Sequence, residues 1–464
     1  MQLTVYLLLI VAGLAAAWFA FRRPLAAVVL VILVNPFEAV FSLPGGMTLG
    51  RMAGLLAIAA WVGLLLRDRR ARARLRRSRL AVYLWPFLLV CFTGAFVWVG
   101  AIGGNRVITQ FITVLMLAQF ALMIENLVIT KREVERVLVA VLCTGALTCI
   151  FPVAYQLGFN LYQQLGIDVA TTLHGGGRAR GLTGNANALG AIGAAGLTAG
   201  FILLTLGTSR VQRVLNIVLM FLCAAGLLLS ASRTNLAAVI LFIGIAGAVR
   251  LTGPRRNRMR WLAGVGIAAV MIAGAYQLAP AGIQDRVWFI SDKGLDSNSS
   301  SRMDFREKQQ RHAVATMLSH PLVGVGLGRF RFHNPDGYDV HDTFSATAGE
   351  TGFLGILTML ILLLAIAMRL LRSAFGWRRH SDPEMYNINV GLLASYVTFM
   401  IVSALGGGVM FYQRWFWIMA GLAAAANAHA ASVRKATFRY RYSAAFGSAP
   451  QERAHAAVRN RNPR

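Results

Sequence analysis

This sequence has little charge for its length, and little negative charge above all. Of its 464 residues 14% are charged, and 18 Asp and Glu stand against 46 Lys and Arg. An ordinary soluble domain carries about a quarter of its residues as charges, so a globule surrounded by water is excluded. Cysteine is scarce as well. Cys91, Cys143, Cys149 and Cys223 all lie inside apolar blocks. They read as small core residues, not as a disulfide framework or a thiolate metal site.

The abundant residues are apolar. They make up 57% of the chain and gather in blocks of about 20, the length that crosses the hydrocarbon of a bilayer as a helix. The blocks run near 3–20, 24–42, 48–66, 80–100, 107–129, 137–158, 186–206, 212–230, 234–249, 262–280, 349–368, 387–407 and 411–431. The expected fold is an all-α polytopic integral membrane protein of about 12–13 transmembrane helices. In the first block, LTVYLLLIVAGLAAAWFA, the positive charges (Arg22, Arg23) follow the apolar run, which reads as a retained helix. The second block contains Asn35-Pro36 and either spans or re-enters.

A net charge of +28 would suggest nucleic acid in a soluble protein. Here the arginines and lysines fall in alternate connections, among them RDRRARARLRRSR, KREVER, TSRVQR and RLTGPRRNRMR. That is the positive-inside pattern, so the expected partners of this charge are membrane lipids and not nucleic acid. It sets the N-terminus outside and the C-terminus inside the membrane, which the resemblance given below implies is a bacterial inner membrane. Three regions follow: transmembrane helices over 1–158, a membrane region over 159–431, and a basic cytoplasmic tail over 432–464. The tail's composition reads as disorder in contact with anionic lipid. The middle region holds a long external loop, 281–349, whose charges nearly cancel. Within it SRMDFREKQQRHAVATML has helical spacing, an amphipathic helix beside the membrane surface.

Several arginines fall on the external side, where the charge rule expects few. Arg178 and Arg180 lie in GRARGLTGNANALG, Arg233 in LLLSASRTNLAAV, Arg302 and Arg306 in SSSRMDFREK, and Arg414 in FYQRWFW. An arginine at bilayer depth costs several kcal/mol unless it is paired. Each alone is explained by snorkelling. Several on one face fit a polyanion, and guanidinium grips phosphate in a fixed bidentate geometry.

The stretch VHDTFSATAGETGFLG sets His341, Asp342 and Glu350 before an apolar run. Imidazole titrates near neutral pH and suits a general base acting on a hydroxyl. A helix-entry cap would use the same letters. HNPDGYDVHD offers donors for a divalent cation, but its spacing matches no calcium loop and a turn rich in Asn, Pro, Asp and Gly explains the same letters more cheaply. GVGLGRF is glycine-rich, yet no strand precedes it and it lies outside, which argues against a nucleotide loop.

Four of these stretches together resemble the bacterial O-antigen ligase and polymerase superfamily of membrane glycosyltransferases. RARGLTGNANALG is similar to an Arg-x-x-Gly element followed by Asn-Pro-Asn, with Ala186 in place of the proline. LLLSASRTNLA is similar to a Ser-x-Ser-Arg element, SHPLVGVGLGRF to a His-Pro-Leu-x-Gly-x-Gly element, and His341 to Gly355 to a histidine followed by Gly-x-x-Gly. Asp342 departs from the Asn, Ser or Gln usual after that histidine in the ligases. The likeness covers roughly 170–420 and implies a type-C glycosyltransferase-like fold. The implied reaction moves a glycan from undecaprenyl pyrophosphate to an acceptor hydroxyl, on lipid A–core in a ligase or on a second lipid-linked glycan in a polymerase. It uses no cofactor or metal. The implied catalytic residues are His341, Arg233 and Arg178, with Arg180, Arg302, Arg306, Glu350 and Arg414 binding substrate. A carrier or flippase for a lipid-linked anion is the alternative from another class, although it would expose its groups to both sides in turn.

Overall fold

In the computed structural model the described residues are 18–39, 42–43, 47–164, 173–174, 178–207, 209–251, 255–277, 279, 283–284, 297–340, 342–378, 382–405, 409–426 and 428. Nearly all of the expected first span, the tail at 432–464 and His341 lie outside the described residues.

The chain is a bundle of helices. In order they are α1 (Pro24–Val34), α2 (Leu49–Arg67), α3 (Arg69–Arg76), α4 (Arg79–Trp98), α5 (Gly104–Leu127), α6 (Lys131–Gln156), α7 (Ala186–Leu204), α8 (Arg210–Leu229), α9 (Arg233–Leu251), α10 (Arg255–Gln277), α11 (Ser297–Ser319), α12 (Thr343–Arg378) and α13 (Pro383–Ala404). A last helix occupies 414–426. Two separate antiparallel strand pairs, Ser42–Leu43 with Met47–Thr48 and Leu173–His174 with Arg178–Ala179, are the β-structure among the described residues. Among the described residues nine helices are long and apolar enough to cross a membrane, and the protein is a polytopic helical membrane protein.

The second block is shorter than a span. Its helix α1 has 11 residues, about 16 Å at 1.5 Å per residue, and Asn35–Ala39 tighten into a 3₁₀ turn. Proline at position 36 removes an amide the helix would need. The helix expected in the long loop forms as α11.

Local chemistry sets the helix starts. Thr130 and Ser209 each close a capping box on α6 and α8, and Asp382 caps α13 ahead of Pro383. Small residues let α6, α7 and α8 approach closely. A methyl on Gly145 would come within 3.0 Å of the Gly196 Cα, and one on Gly196 within 2.7 Å of the Cys223 sulfur. Cys149 and Cys223 are buried in this contact as free thiols, the small core residues expected of them.

The contacts divide the bundle into two ends, and the division follows the charge alternation. At the basic end Asn126 donates to Ala71 O at 2.9 Å, Arg74 donates to Asn126 O at 3.1 Å, and Lys131 pairs with Glu384. The other end, called here the loop end, gathers the strand pairs, α11 and the starts of α5, α7, α9 and α12.

Candidate functional site

The candidate arginines and the segments flanking His341 fall at the loop end, most of them in three clusters, with Arg302 and Arg306 apart on α11. The first is built on the turn between α8 and α9. Arg178 Nε donates to the Ser230 carbonyl at 2.9 Å, and its NH2 donates to Asn187 Oδ1 at 2.8 Å. Asn235 Nδ2 in turn donates to Asn187 O at 3.0 Å and to Ser232 Oγ at 2.8 Å. Two motifs some fifty residues apart are therefore one structure. Asn185 starts α7 by accepting from the amides of Asn187 and Ala188, which aims Asn187 at the arginine. Gly190 is required for the approach, since a methyl there would lie 2.8 Å from Ser230 Oγ. Between the two serines Ala231 takes φ +47, a conformation that an L side chain enters at a cost of about 1–2 kcal/mol. Arg233 follows as the first residue of α9, partly buried. Arg180 precedes the 3₁₀ turn Gly181–Thr183, its carbonyl accepting from Thr183 Oγ1 at 2.7 Å.

The second cluster joins the glycine-rich loop to the head of α12. Gly352, at φ +66 and ψ −165, breaks α12. The break frees the carbonyls of Gly349 and Glu350 and the amide of Phe353. The loop takes all three: Val325 N donates to Gly349 O at 3.1 Å, Gly326 N to Glu350 O at 2.9 Å, and Phe353 N to Pro321 O at 2.7 Å. A methyl on Gly352 would sit 2.6 Å from Pro321 O, and one on Gly324 2.5 Å from the Glu350 carbonyl carbon. These are the glycines of the Gly-x-Gly and Gly-x-x-Gly elements. The loop's amides serve α12, so the stretch GVGLGRF is a docking loop and no phosphate cradle.

Glu350 is 6% exposed and its Oε2 accepts from the Tyr412 hydroxyl at 3.0 Å. Asp342, also 6% exposed, caps the start of α12: Oδ1 accepts from Ser345 N at 2.8 Å, and Oδ2 from Gln310 of α11 at 3.4 Å. Thr343, fully buried, accepts from Met410 N at 3.0 Å. The start of α12, directly after His341 in the chain, is therefore fixed from two sides.

The third cluster is Arg414, whose NH1 donates to Asn35 Oδ1 at 2.6 Å and whose guanidinium rests on Gly50. It is three residues beyond Phe411 and adjoins Gln413. Gln413 and Asn235 line the loop end of an apolar cavity between α6, α7, α9, α13 and 414–426, with Ser395 and Thr398 deeper inside. Through this cavity the first cluster faces the segment that carries Tyr412. On α11, Arg306 is exposed, and Arg302 is helical.

The described donors of HNPDGYDVHD are dispersed. Asp336 accepts from Lys308 at 2.8 Å and Gln309 at 3.0 Å, and the Lys308 ammonium holds its carboxyl below the usual range. Asp339 pairs with Arg106 at 2.7 Å. His333 stacks edge-on against Trp98 and His320, and burial pushes its imidazole pKa down. Among the described residues no three His, Cys, Asp or Glu side chains gather as a metal site.

Tyr412, Asn187, Arg106 and Trp98 were not singled out in the sequence. Tyr412 and Asn187 sit inside quoted motifs, but nothing in the letters marks their partners. No curated protein matches the chain. Residues 218–360, from the middle of α8 into α12, match the family model described as O-antigen ligase, a match that supports the resemblance to the O-antigen ligase superfamily.

Proposed function

We propose that the protein transfers a glycan from undecaprenyl pyrophosphate to a hydroxyl of lipid A–core, at the external face of a bacterial inner membrane. The observation that carries this reading is the Arg178–Ser230–Asn187–Asn235 network, which fixes one guanidinium at the turn that bears the next. Two arginines so placed suit the charge that develops on a departing pyrophosphate. His341 takes the proton of the acceptor hydroxyl. The hydroxyl oxygen attacks the anomeric carbon from the face opposite the leaving group, and the bond to the pyrophosphate oxygen breaks with its electron pair staying on that oxygen. The product is inverted, and the pyrophosphate leaves on its lipid.

Glu350 and Asp342 then support the base without touching substrate: one holds Tyr412 and the glycine loop, the other caps α12. Arg180, Arg302 and Arg306 serve the glycan side. A carrier is disfavoured by the one-sided placement of these groups.

The test uses purified protein with undecaprenyl-pyrophosphate glycan, with and without lipid A–core, followed by gel mobility. A core-dependent shift that disappears in His341→Ala is the expected result. Longer lipid-linked glycan made without core would assign a polymerase. Full activity of His341→Ala would make the histidine structural.

A further inference from the structure

The chain leading to His341 is held from outside the segment matched by the family model. Arg106 stands in the first turn of α5, and its NH2 meets Asp339 Oδ2 at 2.7 Å, two residues before His341. The two side chains are 31% and 40% exposed. The approach depends on Gly328, where a methyl would fall 3.2 Å from Arg106 Nε. The rest of the α4–α5 hairpin grips the same loop. Arg329 lies 4.5 Å over the Trp98 ring and donates from Nε to Ile102 O at 2.9 Å, and Trp98 Nε1 donates to Gly324 O at 2.9 Å. On the far side of His341, Asp342 is fixed as the cap of α12.

We propose that Arg106 is a positioning residue for the transfer reaction. Through Asp339 it anchors the chain that leads into position 341, so that the His341 imidazole meets the acceptor hydroxyl at bonding distance. A partly exposed ion pair contributes little to stability, so fold maintenance gives a poor reason for it. Geometry gives a better one: a catalytic group displaced by about 1 Å loses on the order of 100-fold in rate. The proposal rests on His341 acting as the base.

The experiment measures kcat and the donor KM for wild type, Arg106→Ala, Arg106→Lys, Asp339→Asn and the charge swap R106D/D339R, with His341→Ala alongside. Arg106→Ala and Asp339→Asn are expected to lose on the order of 100-fold in kcat with donor KM nearly unchanged. Arg106→Lys and the swap are expected to recover most of it. Wild-type kcat in Arg106→Ala, or a loss that neither Arg106→Lys nor the swap recovers, overturns the proposal. Asp339→Asn keeps the side chain's size and carries the test if Arg106→Ala does not accumulate. Loss of activity in His341→Ala with none in the Arg106 and Asp339 variants sinks the positioning role alone. Full activity in His341→Ala sinks the catalytic reading beneath it.

Discussion

The two ends of the bundle are built on opposite rules. At the basic end the connections between helices are short and capped: Asp68, Ser78, Thr130, Ser209 and Asp382 each accept an amide of the first turn that follows. At the loop end the backbone leaves ordinary φ/ψ space repeatedly. Gly103, Gly158, Gly181, Gly184, Gly324, Gly326, Gly328, Gly337 and Gly352 have positive φ, joined by Ala231, and among the described residues every such position is at this end. The side-chain charges differ in the same way. Arg74 and Lys131 tie one helix end to the next, whereas Arg178 ties two motifs together. Positive φ is ordinary for glycine and strained only at Ala231 among these residues, and its confinement to one end fits the site proposed there.

The sharpest way to break this comparison is to remove arginines at both ends. Arg178→Ala or Arg233→Ala is expected to lower kcat by on the order of 10²–10³-fold, as loss of one charge-stabilising donor does. Arg74→Ala is expected to leave the rate intact. Similar losses at both ends in a steady-state assay would erase the distinction.

Glycines separate the ends next. Gly352→Ala would set a methyl against Pro321 O at a φ of +66, with a cost of at least about 1–3 kcal/mol and a lower melting temperature. A methyl on Gly266 of α10 would meet no atom within 4 Å, so Gly266→Ala is expected to be neutral or to gain up to about 1 kcal/mol. Equal melting points for the two variants would contradict the tight loop–helix contact.

A smaller effect is expected at Ala231. Relief of its positive φ is worth about 1–2 kcal/mol, while the lost methyl, buried at 3% exposure, gives back about 0.8 kcal/mol. Ala231→Gly should unfold within about 1 kcal/mol of wild type, on the stabilised side. A large loss would mean that the turn is held by the methyl.

Smallest is the pH response of His333. Burial, with Arg329 and His320 nearby, lowers its pKa below the ordinary value of 6.5. Between the folded and unfolded pKa values the unfolded chain binds more protons, so stability rises with pH there. The contribution is complete above 6.5 and is lost as pH falls through that value toward the folded pKa. His333→Gln is expected to flatten the melting temperature between pH 5 and pH 7 relative to wild type (about the range in which free imidazole titrates), and an unchanged slope would place the dependence elsewhere.

The helices were legible because the bilayer imposes a length and a composition on each one. Blocks at 80–100, 186–206 and 387–407 return as α4, α7 and α13 within a few residues. The block at 24–42 stayed open between spanning and re-entering, because apolar content runs on through Asn35-Pro36 while the helix stops there. The arginine motifs were legible as letters, since charge on the wrong side of an apolar run is rare. Their partners were not. Nothing local says that Arg178 reaches Ser230, or that Tyr412 reaches Glu350.

What the sequence determined by itself is the number and spacing of apolar helices, the sorting of charge between two ends, and the motifs set at one of them, because hydrophobicity and charge act on each segment independently. Tertiary structure alone decided which motifs meet. The Gly352 break leaves two carbonyls and an amide that only the loop at 321–326 satisfies, and Arg106 meets Asp339 across 233 residues of chain. Such contacts come from backbone groups and long side chains completing one another's hydrogen bonds, a requirement that exists only once the helices are packed.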